Sequence, residues 1–199
     1  MKLYLKEPTM NEKKEIEEMI KEFVEANDEY PFEGLGNFKK VYEESYEAFY
    51  KDLELNKHID EINPDWSNQT SYVLIDEKGY IYGAANIRHE LKGKLFEIGG
   101  HVGYAIRPCE RGKGYGTIQL KLLLQKMDEM GIEKALITCR ENNLGSKKTM
   151  EKFVGEPDTL VPSMYEGIKE YRYWIDVKKA LEREVVEYEN SIRNRKINT

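Results

Sequence analysis

Apolar side chains along the chain follow two rhythms, and the change from one to the other marks the elements. Ile16, Met19, Ile20 and Phe23 recur at three- and four-residue intervals, which predicts a first helix over about 10–26. Thr9 followed by Glu12 is a capping box at its start. The segment 27–37, with Pro31, Gly34 and Gly36, reads as a loop. Tyr42, Ser45, Tyr46, Phe49 and Leu53 predict a second helix with an aromatic stripe. The rhythm then shortens. Residues 3–6 are a short strand, and 70-TSYVLID-76 and 80-YIYGAANI-87 flank the turn Glu77-Lys78-Gly79 as a hairpin. The run 95-LFEIGGHVGYAIRP-108 reads as one long strand, with Gly99-Gly100 as a bulge and Pro108 as its end. Leu120, Leu123, Leu124, Met127 and Met130 restore the helical period, and Gly131 stops it. A buried strand over 134–140, a short helix over 143–153, and strands over 158–165 and 171–177 follow. Last comes a narrow stripe, Leu181, Val185, Tyr188 and Ile192, in a tail helix over 178–196. Its spacing suits packing on the chain's own sheet or on a second copy, a monomer or a homodimer. A helix between the third meander strand and 134–140 implies one parallel pair in a mixed sheet, so the fold class is α/β in a single domain.

Composition narrows the function. The 199 residues carry a net charge of −6, which argues against nucleic acid as the main partner. No apolar run is long enough for a membrane span, and the first residues lack a signal-peptide core. Cys109 and Cys139 form no paired motif and predict a reducing, cytoplasmic setting. Three histidines without Cys/His spacing predict no metal site.

The stretch 111-RGKGYGTIQL-120 places three glycines and two basic residues at a helix start. Glycine is costly inside a helix, so the backbone there is expected to approach something closely. An anion suits the unpaired N–H groups and positive dipole end of a helix N-terminus. The phosphate-loop pattern ending in Gly-Lys-Ser/Thr is missing. The dinucleotide spacing fails as well, and the preceding strand belongs to a meander. The pattern left is Arg-x-x-Gly-x-Gly, to be weighed against a glycine-rich turn that binds nothing.

Together with 102-VGYAIRP-108 and 134-KALITCRENNLGSKKTMEKF-153, this loop resembles the GNAT acyltransferase superfamily over about residues 70–155, and within it a bacterial branch of predicted acetyltransferases. The resemblance implies an α+β fold of that type, a mixed, mostly antiparallel sheet with splayed central parallel strands and flanking helices, over 1–177, with 178–199 as the helical tail. It implies acetyl-CoA as co-substrate, its pyrophosphate on Arg111, Gly112, Lys113, Gly114, Tyr115, Gly116 and Thr117. The pantetheine arm would lie along Ala105, Ile106 and Arg107 like an added strand. It would also meet Asn143 and Ser146, with Asn142 a weaker candidate and a helix cap the other role open to Ser146.

The reaction expected is direct transfer of acetyl to an amine in a ternary complex. His101 occupies the place where many members carry an acidic residue, and Glu97 is expected on the same strand with the same facing, as alternative base or as partner of His101. An ordinary strand histidine is the other reading of His101. Many members use a tyrosine as general acid where this chain has Met150, so Tyr165 or Tyr171 would have to serve, or the thiolate leaves unassisted. Tyr30, Phe32, Arg88 and His89 are expected to line the acceptor site, and Arg88 could pair with a substrate carboxylate. The competing reading is an acyl-CoA-binding sensor without catalysis.

Overall fold

The computed structural model describes residues 2–154, 157–163 and 167–183. Four strands form one sheet in the order β1 (Leu3–Lys6), β2 (Gln69–Asp76), β3 (Ile81–Arg88) and β4 (Val102–Ile106). Three more form a second, β5 (Lys134–Arg140), β7 (Lys169–Asp176) and β6 (Thr159–Pro162). Every ladder among the described residues is antiparallel. No ladder joins β4 to β5, so the two sheets part there.

The helices bury the faces their periodicity predicts. On one side of the first sheet, α1 (Lys13–Glu25) seats Ile16, Met19, Ile20 and Phe23 against Val73, Ile75, Ile81 and Ala84. Each such side chain contributes about 1.5–3 kcal/mol through burial. On the other side, α4 (Tyr115–Glu129) and α5 (Leu144–Val154) pack Leu120, Leu123, Leu124, Met127, Met150 and Phe153 on both sheets. The capping box forms as expected, Thr9 with Glu12.

Three expectations are corrected. The second helix is two, α2 (Lys40–Glu43) and α3 (Tyr46–Lys57), because the Ser45 side chain accepts the Ala48 N–H and starts a new helix. Tyr42 is consequently exposed. The long strand before Pro108 is only β4: residues 93–96 form a 3₁₀ turn, and Gly99 and Gly100 both take positive φ, 97° and 60°. The glycine pair therefore turns the chain before the strand instead of bulging within it. At Gly100 a Cβ would stand 2.2 Å from the Leu136 carbonyl oxygen, so only glycine fits.

Helical structure over 177–183 follows β7 directly, and Val177, Ala180 and Leu181 pack on the main core. Val185, Tyr188 and Ile192 lie outside the described residues, as does Tyr165. No described helix is long and apolar enough to cross a membrane.

Candidate active site

The glycine loop serves two purposes. Gly114 is the N-cap of α4 with φ 90°, and no side chain caps the helix. Gly112 also has positive φ, 76°, and nothing stands within 4 Å of a Cβ built on either residue. The N–H groups at the start of α4 therefore lie bare beside open space, which is what a bound anion requires. Gly116 has another reason: its Cβ position is 3.4 Å from Thr149 Oγ1, where α4 closes on α5. Arg111 lines this space, held by Asp28 at 2.7 Å and by its Nε bond to the Ile106 carbonyl. Lys113 pairs with Glu110 instead and does not reach the cleft.

From the loop a cleft of about 1030 Å³ runs between β4 and β5 to the 27–37 loop. The β4 backbone is prepared for a ligand. Arg88 N–H bonds the His101 carbonyl and Arg107 N–H the Tyr82 carbonyl, so odd-numbered residues of β4 bond β3. The main-chain groups of Val102, Tyr104 and Ile106 then face the gap. Ala105 and Ile106 line the cleft as expected, though the main-chain groups of Ala105 are used by β3. Arg107 is corrected: its buried guanidinium turns to α1, where it bonds Glu15 and Glu22.

On the α5 side, Tyr115, Thr117, Asn142, Asn143 and Ser146 all line the cleft. The cap of α5 is Asn143, whose Oδ1 accepts the Ser146 N–H at 3.1 Å. That frees the Ser146 hydroxyl to meet Tyr104 Oη across the gap at 3.2 Å. Burial pushes the Tyr104 phenol up to about 12 and the Cys139 thiol likewise to about 12, so Cys139 is no nucleophile. Met150 is fully buried in the core, and Tyr171 does not line the cleft.

His101 lies just before β4. Its backbone N–H donates to the Leu136 carbonyl at 2.7 Å, and its ring Nδ1 accepts the Leu136 N–H at 3.0 Å. The segment leading into β4 is thus joined to β5 here, and again where the Gly99 N–H donates to Thr138 Oγ1 at 3.2 Å, before the two strands diverge. Burial, helped by the Arg88 charge, lowers the His101 pKa to about 4, so the ring is neutral at pH 7. With the proton on Nε2 and the Nδ1 lone pair already used, the ring has no free lone pair to accept a proton. His101 lies outside the cleft lining, and so does Glu97, which is exposed at the end of the 3₁₀ turn and shares no strand with His101. The expected pairing of these two as base and partner does not occur.

Of the four acceptor-site candidates, Tyr30, Phe32 and Arg88 line the cleft. His89 does not; its ring bonds Thr70 Oγ1 at 2.9 Å. The 27–37 loop is strapped to β5 by a bidentate pair, Arg140 Nε and Nη2 to the two Glu33 oxygens, both at 2.6 Å. The same guanidinium lies 4.0 Å over the Tyr30 ring. Gly34 and Gly36 bring the loop against β4 and β3, where a Cβ would strike the Tyr104 carbonyl and the Asn86 side chain. Sequence reasoning missed Glu33, Arg140, Tyr104 and Asn86. Asn86 did leave a signal, as a lone amide inside an apolar strand run.

A family model described as an acetyltransferase (GNAT) domain matches residues 16–153. Among solved structures, a spermidine N-acetyltransferase from Vibrio cholerae, in complex with CoA and spermine, is similar at 16% identity and TM-score 0.56, covering 90% of this chain and 98% of that one. An N-acetyltransferase from Staphylococcus aureus Mu50 is similar at 13% identity and TM-score 0.58, with 89% and 99% covered. The ribosomal L7/L12 alpha-N-protein acetyltransferase RimL, in complex with coenzyme A, is similar at 15% identity and TM-score 0.58, with 88% and 95% covered. At these identities the likeness is one of fold. A search of curated proteins finds no match.

Proposed function

The chain belongs to the GNAT acetyltransferase family, and from that premise we propose that it is an N-acetyltransferase that passes the acetyl group of acetyl-CoA directly to a small-molecule amine. The observation that carries this reading is the continuity of the uncapped α4 start, the inner margin of β4 that no ladder occupies, and the loop-covered end in a single cleft. The pyrophosphate would sit on the N–H groups of 112–116, with the Thr117 N–H already given to the Gly114 carbonyl at 3.1 Å and Arg111 released from Asp28 to meet it. The pantetheine amides would pair with the main chain of Tyr104 and Ile106.

The acceptor nitrogen attacks the thioester carbonyl, the C–N bond forms, and the C–S bond breaks as the tetrahedral intermediate collapses. Main-chain N–H groups on the gap side of β4 are suited to the developing oxyanion. With the His101 lone pair engaged, the amine proton passes to water in the open cleft and the coenzyme leaves as its thiol or thiolate, whose low pKa asks for little help. Both cysteines are free, which fits a reducing, cytoplasmic setting.

The test is acetyl-CoA binding by calorimetry, followed by free-thiol release across an amine panel. Binding with turnover supports the reading. Tight binding without turnover on any amine would favour the sensor reading, and no binding would end both.

A further inference from the structure

We propose that the acceptor is a small primary amine that also carries a carboxylate, its nitrogen set against Asn86 and its carboxylate against Arg88. This rests on the acetyl-transfer reading above and names the chemistry of the second substrate. Asn86 and Arg88 stand two residues apart on β3, so their side chains leave the same face of the sheet, and both line the cleft.

Asn86 is fully buried. Its Nδ2 donates to Gln69 Oε1 at 3.0 Å, but its Oδ1 has no partner. Gly36 and Gly103 come close to that oxygen, since a Cβ on Gly36 would stand 2.6 Å from it and one on Gly103 2.7 Å, so no larger residue at either position would leave it room for a donor. A buried amide oxygen left unpaired is costly, and an amine N–H is the donor that would satisfy it.

Arg88 presents the opposite need. Its Nη1 donates to the Gly99 and Gly100 carbonyls at 3.3 and 2.9 Å, which hold the guanidinium in place without neutralising it. Burial lowers its pKa, and among the described residues no carboxylate pairs with it. The other cleft arginines differ: Arg111 has Asp28 and Arg140 has Glu33. A desolvated cation without an anion favours an anionic ligand. Arg88 also lines a second cavity of about 370 Å³, whose lining includes Asn37 and Ser67; Asn37 Nδ2 and Ser67 Oγ are buried without partners. The uncompensated charge does a second thing: it disfavours a protonated amine nearby, which favours the neutral nucleophile and disfavours polycations.

The experiment compares amino carboxylates of graded amine-to-carboxylate spacing with their own carboxamides and with spermidine, using the full-length protein and saturating acetyl-CoA. The expected result is a kcat/KM preference for the acid over its carboxamide of at least about tenfold, the usual worth of a charge-assisted hydrogen bond, which collapses toward unity in Arg88→Gln. The acid-to-amide ratio of the unaltered protein needs no variant, so it stands even if Arg88→Gln loosens the 99–100 turn. Carboxamides or spermidine used as well as the acids would overturn the proposal. If no amine is turned over, the acetyl-transfer reading fails separately and binding decides: amino carboxylates that raise the melting temperature of the unaltered protein, and not of Arg88→Gln, keep the anion site, and no shift removes it.

Discussion

Replacing His101 by glutamine separates a clasp from a base. The ring holds β4 to β5 through the Leu136 N–H, and Leu136 is fully buried. Glutamine can present Oε1 to that N–H, so at pH 7.5 the stability change should be under about 1 kcal/mol. His101→Ala leaves the N–H unpaired and should cost about 1–3 kcal/mol. Acid pH distinguishes histidine from glutamine further. The folded pKa of about 4 lies below the unfolded value of about 6.5. The folded protein therefore takes up a proton less readily than the unfolded chain. The contribution of neutral His101 is complete above pH 6.5 and is lost as pH falls toward 4. At pH 4.5 the loss integrates to about 2.5 kcal/mol, and the glutamine variant is spared it. Urea denaturation of both proteins at pH 7.5 and 4.5 measures the difference, with all other titrations common to the pair. A stability difference that stays constant between the two pH values, or a His101 ring signal titrating near 6.5, would refute the clasp. Turnover completes the test: kcat/KM of His101→Gln should stay within about threefold, whereas a hundredfold loss is the signature of a positioned base.

Two further outcomes follow from the coenzyme loop. Gly114→Asp puts a Cβ and a carboxylate at a positive φ beside the bare N–H groups, so calorimetry should show acetyl-CoA affinity reduced by at least tenfold in a protein that still melts cooperatively. Asp28→Asn removes the anion now holding Arg111, so the affinity should rise a few-fold, consistent with about 0.5–1 kcal/mol for an exposed pair, and the gain should shrink as salt is added.

Periodic signals carried the fold a long way. The core faces of α1 and α4 follow from the spacing of Ile16 through Phe23 and of Leu120 through Met127, because an amphipathic helix must place such residues together. The hairpin and the buried β5 followed from the same logic. Misreadings arose where backbone dihedrals decide. Leu95, Phe96 and Ile98 look like the start of a strand, and nothing in their composition announces that both following glycines take positive φ. That error placed Glu97 beside His101 as a partner. The loop residues of the cleft were legible because glycine at a helix start is locally anomalous. The Glu33–Arg140 strap joins residues far apart in sequence, and such a pairing depends on how the loop packs against β5. Arg107 was misassigned for the same reason: its partners Glu15 and Glu22 lie on α1, remote along the chain.

The parting of the two sheets has a consequence for how the protein avoids its own kind. The inner margin of β4 leaves main-chain groups outside any ladder, and in most proteins such a margin recruits strands from other molecules, the first step toward aggregation. Here that margin looks inward, with α5 on one side and the strapped 27–37 loop on the other. Tethering the loop to β5 therefore also guards a sticky edge. A chain that lost the Glu33–Arg140 strap would be expected to lose solubility before it lost its fold, and a bound coenzyme arm, filling the margin as an extra strand, would restore it.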